Sequence, residues 1–249
     1  MNRLLERRST PGTVQETPVV SPVRPDLLMQ KVIGRWDNEG GAGPDGPQKG
    51  NSGEPKPELV SKAEPELKQP ASISTQRWSQ SLSGGGHVLI RPINKLDANA
   101  ERAFIEGLSS DAKRLRFMGQ IAHPTEKFIA QLTDLDGTNE VALVAVVKDG
   151  AAEKIVGVSR YSNDVAQNRC ECALAVSDEW QHKGLGTALM KHLIEVARSN
   201  RIAAMESIEY AENLAMRTLL LELEFHVRVN PHDVQQVIYT LTLSPISER

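Results

Sequence analysis

The sequence predicts an α/β chain of strands and helices over residues 87–249, preceded by an irregular amino-terminal third. Three observations carry that expectation. The run Cys170-Glu171-Cys172-Ala173-Leu174-Ala175-Val176 reads as a strand and leads through a glycine-rich turn into an amphipathic helix starting at Leu185. Residues 140–147 form a near-continuous apolar run, the signature of a strand covered on both faces. The texture changes abruptly at Ser83-Gly84-Gly85-Gly86.

Before residue 87 lie ten of the 14 prolines and eleven of the 18 glycines. Residues 37–70 are polar and without period, too poor in apolar surface to offset the entropy of ordering. Residues 1–86 are therefore expected to be a disordered tail. One island, 26–34, has Asp26 near its start and Gly34 at its end and would form a short helix. It is either a docking motif for a partner groove or a transient helix.

From His87 the elements follow in order. Residues 88–93 read as a strand ended by Pro92 and Ile93. Asp97 would cap a helix running to Leu108, with Phe104 and Ile105 inward; Ser109 or Ser110 would cap a second, through Phe117. Pro124 suits the first turn of a third helix, 125–132. After the strand at 140–147, Asp149-Gly150 marks a turn and 154–161 returns as its hairpin partner. In the helix from Leu185 to Ser199, Leu185, Leu189, Leu193 and Val196 form one stripe. A strand at 202–210, a helix at 213–223 and strands at 225–229 and 237–243 complete the set.

Composition narrows the function. The chain has 249 residues and a formal net charge of −3, which gives no reason to expect nucleic-acid or membrane-surface binding. No apolar run approaches the ~20 residues that span a bilayer. Cys170 and Cys172 are two apart in a strand, on one face and with too little reach for an ordinary disulfide. No convincing Cys and His spacing suggests a metal, so none is expected. The first residues lack the apolar core of a secretory signal, and reduced thiols suit a cytoplasmic location.

The chemistry concentrates in Gln181-His182-Lys183-Gly184-Leu185-Gly186-Thr187. A helix N-terminus offers unpaired N–H groups and the positive end of the helix dipole, and glycines let an anion approach the backbone. Met190 occupies the place of the third glycine in a dinucleotide fingerprint, and no G-K-[ST] follows for a P-loop. What stands between strand and helix is Q-x-x-G-x-G; the plain alternative is a tight packing turn.

This loop resembles the acetyl-CoA pyrophosphate loop of the GNAT superfamily of N-acetyltransferases, whose pattern is Q/R-x-x-G-x-G/A. The resemblance covers about residues 87–245 and is closer to the acetyltransferase domain of Pat-type protein lysine acetyltransferases. It is carried by Ile90-Arg91-Pro92-Ile93, Leu108-Ser109-Ser110, Arg114-Leu115-Arg116-Phe117, Val156-Gly157-Val158-Ser159-Arg160-Tyr161, Trp180 to Met190, and Ala211-Glu212-Asn213. It implies the GNAT acyl-CoA N-acyltransferase fold and acetyl-CoA as co-substrate. Backbone groups of Leu174, Ala175 and Val176 would pair with the pantetheine arm. N–H groups of His182, Lys183, Gly184, Leu185, Gly186 and Thr187, behind Gln181, would hold the pyrophosphate. Asn213 would bond the pantetheine near its thiol, or simply cap the helix that follows; Lys183 would add charge, or be solvated.

The resemblance also implies a general base at Glu171, ten residues before Gln181, with Glu206 and Glu209 as rivals. A lysine-type amine with a pKa of ~10.4 needs such a base near neutral pH. Two departures stand out. Where many relatives carry a tyrosine that protonates the leaving thiolate, this chain has Leu220, and neither Tyr161 nor Tyr210 is at that position. Where a glycine usually precedes the aromatic Phe225, it has Glu224. The N–H of a residue near Val176 would polarise the thioester carbonyl. Cys170 and Cys172 are expected to pack rather than to form an acyl-enzyme. The expected activity is N-acetylation of protein lysines by direct transfer. The alternatives are transfer to a small amine such as an amino acid or polyamine, or an acyl-CoA-sensing module without catalysis.

Overall fold

The computed structural model describes residues 73–118, 123–150 and 152–243. The expected tail over 1–72, with its helix at 26–34, lies outside the described residues. Eight strands form a mixed sheet: β1 (Trp78–Ser81), β2 (His87–Pro92), β3 (Glu140–Asp149), β4 (Ala152–Asp164), β5 (Arg169–Val176), β6 (Ala204–Tyr210), β7 (His226–Val229) and β8 (Gln236–Thr242). Their order is β1-β2-β3-β4-β5-β6-β8-β7. Every neighbouring pair is antiparallel except β5 and β6. Among the described residues five α-helices accompany it: α1 (Ala98–Gly107), α2 (Ser110–Phe117), α3 (Glu126–Thr133), α4 (Leu185–Ser199) and α5 (Leu214–Glu222).

The apolar run of β3 separates into two cores. Val141, Leu143 and Ala145 join α4 and α5 on one face, with Leu189, Leu193 and Leu220. Ala142, Val144 and Val146 join α1, α2 and α3 on the other, with Phe104, Phe117 and Ile129. Period-two alternation with both faces covered is why that strand reads as uninterrupted hydrophobe. A buried ion pair ties the second layer to the sheet: Arg160 of β4 donates to Glu101 of α1 at 2.8 Å and to the carbonyl of Leu132.

The structure corrects the expectations in two places. The sheet begins before the glycine run, with Trp78–Ser81 paired to His87–Ile90 inside the stretch expected to be tail. That strand is short and polar, and its hold is tertiary: the Trp78 ring stacks on His192 of α4 at 4.4 Å between centroids. Asp97 does not cap α1. Its carboxylate receives two bonds from Arg91, at 2.8 and 2.7 Å, and closes a capping box with Asn94 around the 3-10 turn Lys95–Asp97. The caps at Ser109, Thr125 and Asn213 each accept a backbone N–H three residues on.

The place where a glycine was missing keeps its geometry. Phe225 N–H bonds to Leu220 O and Glu224 N–H to Leu221 O, and Glu224 adopts a left-handed φ of 66°. This is the helix-ending turn that glycine fills without a Cβ penalty. Glu224→Gly is expected to raise stability by ~0.5–1 kcal/mol in chemical denaturation, the relieved strain exceeding the entropy gained by the unfolded chain.

Candidate active site

β5 and β6 stay together for three rungs only, Arg169↔Ala204, Cys170↔Met205 and Glu171↔Glu206. Beyond Glu171, β5 continues to Val176 beside β4 alone. The side from which its backbone groups emerge can be read from their bonds. Ser177 N–H donates to Val156 O of β4 at 3.0 Å, so 171, 173 and 175 also turn toward β4. The carbonyls of Cys172 and Val176 point the other way, accepting from Ser207 Oγ at 3.4 Å and Gln181 Nε2 at 3.1 Å. Leu174 therefore presents its N–H and C=O to the gap, as Val176 does its N–H, and among the described residues they have no partner there.

The gap opens into a cleft of about 1260 Å³ that runs from α4 and α5 through to α2 and α3. At one end lies the glycine loop. His182 and Gly184 have left-handed φ values of 57° and 82°, which fold the chain into the first turn of α4. The first intrahelical bond is Ala188 N–H to Gly184 O, and among the described residues the N–H groups of His182 to Thr187 have no protein acceptor. A Cβ on Gly184 would meet nothing within 4 Å, so its open side faces space that an anion can fill. Gly186 is needed for a different reason. A Cβ there would stand 2.9 Å from Leu219 and 3.1 Å from Leu174, so its absence lets α4 settle against β5 and α5.

The expected site residues divide. Glu171, Leu174, Ala175, Val176, Gln181, His182, Gly184, Gly186, Thr187 and Asn213 line the cleft. Ala175 turns its backbone to β4 and offers its methyl group. The side chain of Leu185 is buried in the core beneath the loop, and Lys183 lies over the Trp180 ring at 5.3 Å, outside the lining. Of the three candidate bases, Glu171 and Glu209 line the cleft. Glu206 is held elsewhere, by Arg169 at 2.9 Å and Thr240 at 3.1 Å, with Arg228 at 3.7 Å. The thiols of Cys170 and Cys172 are free and buried, and burial pushes both well above the ordinary thiol range, which suits packing.

The sequence did not reveal the network around Glu209. Its Oε1 accepts from Ser207 Oγ at 2.7 Å and its Oε2 from Asn213 Nδ2 at 2.9 Å. Asn213 thus spends its oxygen on the α5 cap and its amide on Glu209. Burial raises the Glu209 carboxyl to about 7, against the opposing pull of Ser207, Asn213 and Arg116. The one available signal was that Ser207 and Glu209, two apart in a strand, share a face. A second tie also went unseen: Gln181 Nε2 reaches Asp178, which accepts from Ser109 at the start of α2 and so links the loop to the far wall.

Comparison with known proteins now bears on this geometry. The family model for the acetyltransferase (GNAT) family matches residues 87–225. A curated relative, acetyltransferase PA5475 of Pseudomonas aeruginosa, is 40% identical over 173 residues, covering 70% of this chain and 93% of its own length. The chain belongs to the GNAT family. Its enzyme class is N-acetyltransferase, and the family's co-substrate is acetyl-CoA. Solved GNAT structures share the fold. The GNAT domain of S. lividans PAT aligns with a TM-score of 0.61 at 23% identity, over 67% of this chain and 97% of that one. An N-acetyltransferase from Staphylococcus aureus Mu50 aligns with a TM-score of 0.51 at 20% identity, over 64% and 100%. In this GNAT chain, no group of three His, Cys, Asp or Glu side chains gathers as a metal would require among the described residues. No helix among them is long and apolar enough to cross a membrane.

The buried Glu209 has a measurable consequence for stability. Its folded pKa of about 7 lies above the ordinary 4.5, so the folded state holds the proton more tightly. Stability from this group is therefore greatest below pH ~4.5 and declines as pH rises through about 7, by at most ~3 kcal/mol. Glu209→Gln is expected to flatten that decline in melting curves recorded between pH 5 and 8.

Proposed function

We propose that this chain is an acetyl-CoA-dependent Nε-acetyltransferase of protein lysines, working by direct transfer with Glu171 as general base. The observation that supports this most is the continuity of the cleft: unpaired amides at His182 to Thr187, free strand edge at Leu174 and Val176, then the Glu171 carboxyl, in sequence along β5. The diphosphate of acetyl-CoA would lie on the loop amides and its pantetheine arm would add to β5 as a strand does, directing the thioester toward Glu171. The N–H near Val176 would polarise the thioester carbonyl.

Beyond Glu171 the cleft continues between α2 and α3, where its wall carries charges of both signs, Asp134 and Glu140 with Arg116 and Arg160, and Asp134 is paired with Lys95 at 3.0 Å. An extended side chain such as lysine would reach Glu171 from that end. At pH 7 the acceptor is protonated, and removing its proton costs about 4.6 kcal/mol for a pKa of ~10.4. Glu171, 9% exposed and lining the cleft, would take it directly or through a water. Holding amine and thioester together supplies the rest through proximity. Transfer to a small amine such as a polyamine, entering from the same end, is the second reading.

Incubation with acetyl-CoA and candidate proteins, read by mass spectrometry of acetyl-lysine, is expected to show site-selective modification. Transfer confined to polyamines or amino acids would replace the protein-lysine reading with the second one. Glu171→Gln is expected to lower turnover about 10²–10⁴-fold with acetyl-CoA affinity intact by calorimetry. A fully active Glu171→Gln would remove Glu171 from the base's role.

A further inference from the structure

Resting on the transfer reading above, we propose that Glu209 is the acid that protonates the departing thiolate, filling on β6 the role that the residue at Leu220 cannot. No tyrosine hydroxyl offers its hydrogen to the cleft. Leu220 is fully buried in the core. Tyr161 borders the cleft, but its hydroxyl donates to Thr138 O at 2.9 Å and accepts from Asn200 at 2.7 Å, and the Tyr210 hydroxyl donates to Met118 O at 3.4 Å. Glu209 lines the cleft at the mouth of the parting strands, beside Asn213 at the head of α5.

Its surroundings suit a proton donor better than an acceptor. The carboxyl is only 7% exposed, and burial favours the neutral form. Two donors, Ser207 Oγ at 2.7 Å and Asn213 Nδ2 at 2.9 Å, already point at its oxygens and would stabilise the carboxylate that remains once the proton leaves. Ser207 has a single hydroxyl hydrogen and a second acceptor within reach, Cys172 O at 3.4 Å. With Glu209 protonated, that hydrogen turns to Cys172 O; with Glu209 ionised, it turns back to Oε1. The pair is thus a two-position device that absorbs the charge of the carboxylate without moving a heavy atom. The ionisable groups facing it are Arg116 from α2, Cys172 from β5 and Tyr239 from β8, with Glu171 on the same cleft.

The step balances. The acceptor ammonium first yields one proton to Glu171, which passes it to water. The amine nitrogen then attacks the thioester carbonyl carbon, the C–N bond forms and the C–S bond breaks. The second nitrogen proton follows the first to Glu171 as the amide forms, while Glu209 gives its own proton to the sulfur. Glu209 regains a proton from water through the cleft, so one proton is released overall. A thiol is a weaker acid than a carboxyl poised near neutrality, so transfer from Glu209 to the thiolate runs downhill.

The test is the pH dependence of single-turnover transfer at saturating acetyl-CoA, in the wild-type chain and in Glu209→Gln. The wild-type rate is expected to fall on the alkaline side with an apparent pKa at or above about 7. E209Q is expected to bind acetyl-CoA as the wild type does, to lose at least about 10²-fold in rate, and to lose the alkaline limb. Ser207→Ala, which removes one stabiliser of the anion, is expected to fold and to move that limb to higher pH. An E209Q chain as fast as the wild type overturns the proposal, as does one that loses the acidic limb, which would make Glu209 a base. A Ser207→Ala profile identical to the wild type also contradicts it. A wild-type chain that transfers to no amine sinks the transfer reading and this one with it, whereas an active wild type with an unimpaired E209Q sinks this one alone.

Discussion

Two parallel strands that part after three rungs leave backbone donors and acceptors facing each other across a gap too wide to bridge. Unmade backbone bonds are costly wherever water is excluded, so a fold keeps such a gap only if solvent or a ligand fills it. In this GNAT chain the separation of β5 and β6 past Glu171 is built in by what stands on either side. Gln181 from the loop and Ser207 from β6 each reach one β5 carbonyl with a side chain, and Gly186 lets α4 pack closely against β5. The free edge at Leu174, the amides of the glycine loop and the continuous cleft all follow from that parting.

The same parting sets the environments of the carboxyls. Glu171 and Glu206 are paired in register on the last shared rung, yet their surroundings differ. Glu206 is held by arginines on the outer side, while Glu171 borders the cleft. Glu209, three residues further along β6, is past the β5 pairing, still paired with Val237 of β8, and bonded to Ser207 and Asn213. Two carboxyls on one cleft, one near the acceptor side and one whose burial keeps its proton to about pH 7, form the kind of separated pair from which acid and base roles arise.

Periodicity made most of the fold legible. The alternating β3 run, the stripe of α4 and the caps at Ser109 and Asn213 are local features, and local physics reads them; the cap at Thr125, expected instead to be the helix's first residue, was not read. The loop from Gln181 to Thr187 was legible because a glycine at the turn, Gly184 with its positive φ, and a helix start have a short-range signature. What stayed hidden was long-range. β1 is a polar tetrapeptide whose strand exists through pairing with β2 and the Trp78–His192 stack. Asp97 looked like a cap because the pattern fits, but Arg91 claims its carboxylate. Lys183, a natural anion ligand in sequence, is drawn to Trp180. Which of the three glutamates border the cleft depends on long-range packing around the parting strands, which lies outside any local pattern.

The central claim is that the loop amides and the parted edge of β5 hold the co-substrate. Backbone amide NMR during titration with coenzyme A tests it most directly. The account predicts that the amides of His182 to Thr187, with those of Leu174 and Val176, undergo the largest shifts and become the most protected from solvent exchange. Binding that leaves those amides unmoved and perturbs another surface would contradict it.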